Sequence, residues 1–73
     1  MSEGIRSLLN YCYGDEGDYW VSKSKIMSFI TEKEWERISK DLIGITMKIK
    51  GNESLIPKRD IIFGITKNSV YWD

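Results

Sequence analysis

A chain of 73 residues has room for one domain, expected over 1–73, whose core is thin because a protein this short buries only about 60% of its unfolded surface. Hydrophobic residues at 41% and charged residues at 30% describe a globular chain, and no apolar run approaches the ~18 residues of a membrane helix. Eleven basic residues balance eleven acids, which counts against a protein that coats nucleic acid unselectively, since phosphate neutralisation supplies most of that affinity.

Ser2 and Glu3 open a first helix whose apolar residues Ile5, Leu8, Leu9 and Cys12 recur at i, i+3, i+4 and i+7, and Gly14 ends it. The GDEG run at 14–17 reads as an exposed acidic loop. Tyr19, Trp20 and Val21 form a short extended piece rich in strand-favouring residues. Ser22 or Ser24 caps a second helix that buries Ile26, Phe29 and Ile30.

The third helix is the best-marked element. Thr31 followed by Glu34 is a capping box, Gly44 is a natural C-terminal stop, and Trp35, Ile38 and Leu42 repeat at helical spacing, so a helix is expected over 31–43. At about 100° per residue, Lys33, Arg37 and Lys40 fall together on the opposite, outward side. Glu32 and Glu36 flank this row on one side, Glu34 and Asp41 on the other.

Past Gly44 the period changes to two. Ile45, Met47 and Ile49 alternate with Thr46, Lys48 and Lys50 as in a half-buried strand. Gly51 to Arg59 then reads as a loop containing Pro57, Asp60 to Ile65 as the returning strand, and Val70 to Trp72 as a short terminal segment. The expected fold class is therefore α+β, winged helix-turn-helix-like, with three helices followed by a β-hairpin wing at 51–59. A generic α+β domain with a three-stranded sheet built from residues 45–72 is the alternative.

The stretch from Tyr19 to Ile65 resembles the winged-helix proteins of bacteriophages and mobile elements in low-GC bacteria. The motifs that carry the likeness are EWERISK at 34–40 and the closing GITKNSVYW at 64–72. The resemblance implies a protein that binds single- or double-stranded DNA, or an adaptor to a larger replication or regulatory protein.

On the residues themselves, Lys33, Arg37 and Lys40 suit phosphates and guanine edges, and Lys48, Lys50, Lys58 and Arg59 suit the flanking backbone. The bland counterpart is a solvated helix face held by pairs such as Glu36 with Lys40. Lys33 and Arg37 are like-charged neighbours, and such a pair on the solvent side points to an anionic ligand.

Aromatic residues are numerous for a small body. Trp35, Phe29 and Phe63 are expected in the core, whereas Tyr19, Trp20, Tyr71 and Trp72 are candidates for stacking on unpaired bases or for anchoring a protein interface. Cys12, in register with the buried side of the first helix, is expected to be a small core residue. With one cysteine and no histidine, the chain has no internal disulfide and no ordinary zinc ligand set.

No cofactor or metal site is expected, and no enzyme activity, because nothing pairs a nucleophile with a base or cradles a phosphate. The N-terminus has too short an apolar stretch and the wrong charge order for a secretory signal, so cytoplasmic residence is the default. The expected partner is DNA, with a host or replication protein, met through the aromatics and the acidic loop, as the runner-up. A homodimer reading two half-sites fits the same pattern, and a membrane partner does not.

Overall fold

The computed structural model describes residues 2–14 and 19–68. Their order is α1 (Glu3–Gly14), β1 (Trp20–Ser22), α2 (Lys23–Phe29), α3 (Glu32–Ser39), β2 (Lys48–Lys50), β3 (Glu53–Pro57) and α4 (Lys58–Lys67). The fold is α+β, with four helices and one three-stranded antiparallel sheet in the order β1-β3-β2 among the described residues. Gly14, the first residue of the expected acidic loop, closes α1, whereas the loop's residues 15–17 and the terminal 70–72 segment lie outside the described residues.

Local signals account for the first half. The Ser2 hydroxyl accepts the Ile5 N–H at 3.2 Å, satisfying one of the donors that a helix start leaves unpaired. Ser22, the last residue of β1, caps α2 by accepting from the Lys25 N–H. Only Ile30 and Thr31 separate α2 from α3. Thr31 accepts from the Glu34 N–H at 3.1 Å while Glu34 accepts from the Thr31 N–H at 2.9 Å, completing the reciprocal capping box.

The third helix ends a turn earlier than its periodicity suggests, at Ser39, with Lys40 as C-cap. One physical reason is visible. The Ser39 hydroxyl donates to the Trp35 carbonyl at 2.8 Å, competing with the helix ladder. Turns carry the chain onward to Gly44, whose φ of 80° requires a residue without Cβ.

The C-terminal half departs further from expectation. The loop expected over 51–59 is a two-residue turn, all of β3 and the first residues of α4, and the strand expected over 60–65 is helical. Gly51, at φ 64°, is the only one of the two turn residues with positive φ, the pattern of a type II′ hairpin, and Lys50 faces Glu53 across it. β3 then becomes the central strand, pairing Val21 with Ile56 on one side and Lys48 with Leu55 on the other. Pro57 lacks an N–H, and the Lys58 N–H bonds to the Tyr19 carbonyl at 3.0 Å instead.

α4 forms despite a run, Ile61-Ile62-Phe63, that favours strands by residue type. Ile61, Gly64, Ile65 and Asn68 lie at i, i+3, i+4 and i+7, and all four are buried, so the helical period offers a continuous face to α1 and α3. Tertiary burial outweighs propensity here. At Gly64 the contact is so close that an added Cβ would collide with the Ile38 side chain and lie 2.9 Å from its carbonyl oxygen. Phe63, expected in the core, is on the opposite face and 51% exposed.

One core joins the layers. Ile5, Leu8 and Cys12 of α1, Val21, Ile26, Ile30, Trp35, Ile38, Ile56, Ile61 and Ile65 form a single buried cluster. No helix among the described residues is long and apolar enough to cross a membrane.

Candidate nucleic-acid interface

Because Trp35 and Ile38 face the core, the opposite side of α3 carries Lys33, Arg37 and Lys40, and all three are exposed. The row is not purely basic. Glu32 and Glu36 are exposed on the same helix, and Glu32 is paired with Lys23 at 3.3 Å.

Glu34 is occupied in building the helix start. Its second carboxylate oxygen accepts the Ser2 hydroxyl at 2.9 Å, tying the beginnings of α1 and α3 together. Partial burial pushes this carboxyl up, but the hydrogen bonds from Thr31 and Ser2, with the nearby Arg37 charge, outweigh that effect and hold it below its usual value.

The hairpin supplies a second exposed basic group. Val21 and Ile56 point into the core, so strand alternation puts Trp20, Ser22, Leu55, Lys48 and Lys50 on the outer face of the sheet. All three residues of β2 are exposed. Lys48 Nζ lies 5.9 Å from the centre of the Trp20 ring, within cation–π range. Trp20 is half-buried and Tyr19 is exposed, while Tyr71 and Trp72 lie outside the described residues.

Lys58 and Arg59 are not at the tip of a wing. They begin α4, because β3 continues through Pro57 and turns directly into that helix. Lys58 is only 9% exposed, with its ammonium 5.4 Å from the Tyr11 ring, and is part of the molecule's interior. Arg59 remains exposed, 3.9 Å from Asp60.

Sequence reasoning left Lys25 out of the candidate residues. Its ammonium lies 5.4 Å from the Tyr11 ring and 5.5 Å from that of Phe29, and the two rings are 5.6 Å apart. The grouping depends on α1 meeting α2, a contact distant in sequence. A hollow of about 350 Å³ opens between the turns after α3 and the outer side of α4, lined by Asp41, Leu42, Ile43, Gly44, Ile45, Asp60 and Phe63. Ile43 in its wall is fully exposed.

The lone thiol, Cys12, is buried. Burial pushes it up to about 11, with the charge of Lys58 working in the opposite direction, and a thiol so protonated is a poor nucleophile. Among the described residues no three acidic or cysteine side chains gather as a metal site would require.

No protein-family model, curated protein or solved structure matches the chain.

Proposed function

We propose that the protein is a small winged-helix nucleic-acid-binding protein of the kind encoded by bacteriophages and mobile elements. In this reading α3 is the recognition helix and the β2–β3 hairpin is the wing. The observation that carries the reading is the outward row Lys33, Arg37 and Lys40 on a helix whose other side is locked into the core. The helix order and a sheet with β3 between β1 and β2 agree with it, as do the exposed Lys48 and Lys50. A neutral total charge restricts the contact to these patches, so binding should be local and strongly dependent on salt.

Titration of labelled duplex and single-stranded DNA at low ionic strength tests the proposal. Binding should weaken steeply as salt rises, and Arg37→Glu with Lys40→Glu should abolish duplex binding without altering the circular dichroism spectrum. No binding of either form at micromolar protein would end the reading.

A second reading, adaptor to a host or replication protein, is favoured by the hollow beside α4. There Ile43 and half-exposed Phe63 stand with Asp41 and Asp60, and an apolar patch edged by acids suits a basic amphipathic segment. Retention of partner binding by the Arg37→Glu, Lys40→Glu protein would separate the two.

A further inference from the structure

The outer face of the sheet carries more than the two lysines that a wing requires. A groove of about 310 Å³ is lined by Trp20, Lys48, Ile49, Lys50 and Leu55. A neighbouring hollow of about 460 Å³ adds Tyr11, Lys25 and Glu53, together with Val21 and Ser22 of β1. The two adjoin, since Trp20, Lys50 and Leu55 line both.

Among the described residues its charges are unequal: Lys25, Lys48 and Lys50 stand against one acid, Glu53, whose carboxylate already accepts the Ser24 hydroxyl at 3.0 Å. Trp20 is half-buried and therefore fixed at its base while still lining both hollows. A half-buried ring with Lys48 in cation–π range and further lysines lining the hollows around it suits a chain that alternates flat, apolar bases with phosphates.

We infer that this surface holds a single-stranded segment of nucleic acid, with an unpaired base stacked on Trp20 and the adjoining phosphates on Lys48, Lys50 and Lys25. The inference rests on the nucleic-acid reading above and assigns its sheet face to unpaired strands. A duplex keeps its base faces stacked inside, where an indole in a concave sheet surface does not reach them. An acidic peptide would satisfy the lysines but has no flat group to match the indole.

The test compares an oligothymidylate, a duplex of equal length and polyglutamate on the intact protein, by anisotropy at low salt. Trp20→Leu should weaken oligothymidylate binding roughly ten-fold, the scale of one stacked base. Trp20→Phe should retain most of it, and duplex binding should be unchanged by either. Arg37→Glu with Lys40→Glu should show the reverse pattern.

Photocrosslinking from a bromodeoxyuridine oligonucleotide to the unaltered protein requires no variant to fold, and the adduct should map to the peptide containing Trp20. Duplex binding with no single-strand binding, Trp20→Leu leaving oligothymidylate affinity intact, or adducts confined to α3 would overturn the inference and leave the broader reading standing. Polyglutamate bound as tightly, with the same dependence on Trp20, would reassign the surface to an acidic peptide. Failure of both nucleic acids to bind would remove inference and reading together.

Discussion

The helical layer and the hairpin use the same isoleucine and lysine residues to opposite ends. Ile5, Ile38, Ile61 and Ile65 are wholly enclosed between α1, α3 and α4, whereas Ile49 on β2 is 72% exposed between two exposed lysines. One region is shaped by what it must exclude, the other by what it leaves open. Substitutions in the first should therefore change stability, and substitutions in the second should change binding at nearly constant stability.

The largest effect should come from Ile38→Ala. Ile38 is fully buried at the contact of α3 with α4, and truncating such a side chain costs about 2–5 kcal/mol. A domain of this length has roughly 4–11 kcal/mol in total, so urea denaturation should show a midpoint that collapses toward zero. A loss below about 1 kcal/mol would mean that the contact is looser than described and would erase the distinction between the regions.

Gly64→Ala sharpens the same contact from the other side. The new methyl would meet the Ile38 side chain and backbone carbonyl, at an overpacking cost of about 1–3 kcal/mol. Combined with Ile38→Ala it should cost less than the two changes added, because one of the two obstructions is then gone. Strict additivity in a denaturation cycle would show that the helices simply move apart.

Thr31→Ala should cost about 1 kcal/mol by removing the N-cap, and its signature is in the pH dependence. The Glu34 carboxyl lies below its unfolded value in the native protein, so the native state binds that proton more weakly. The stabilisation is complete above the ordinary glutamate value, near pH 4.5, and is lost as pH falls through the lower native value. The variant should flatten that part of a stability–pH curve only in part, because the Thr31 backbone N–H still donates to Glu34, and an unchanged slope would assign the effect to that N–H, Ser2 and Arg37 rather than to the Thr31 hydroxyl.

The same contrast explains which parts were legible from the residues. α1, α2 and the start of α3 carry their own caps, Ser2, Ser22 and Thr31, so local chemistry announces them. The hairpin too had a local mark, Gly51-Asn52 between two extended runs, which is a two-residue turn signature. The spacing of Ile61, Gly64 and Ile65 equally allowed a helix, but β-branched composition pointed to a strand, and only packing against Ile38 decides between them. The juxtaposition of Trp20 with Lys48 was not legible, because it arises from β1 and β2 flanking β3 across more than half the chain. Lys58 illustrates the converse: a lysine beside an arginine reads as surface, yet the passage from β3 into α4 brings it against Tyr11.

The smallest change in stability and the sharpest change in behaviour should come from Lys48→Gln with Lys50→Gln. Both residues are exposed on an edge strand, so their loss should alter stability by no more than about 0.5 kcal/mol. Lysines beside an exposed isoleucine on an edge also discourage sheet-to-sheet association, and that role alone would explain their presence. The two roles differ in what salt does. If both lysines meet phosphates of a single strand, the slope of log K against log salt should become shallower by about 1.4, twice the ~0.7 released per contact. If they serve only to protect the edge, the slope should stay as it is while light scattering detects self-association, and the hairpin would then be a guarded margin of the fold rather than its binding face.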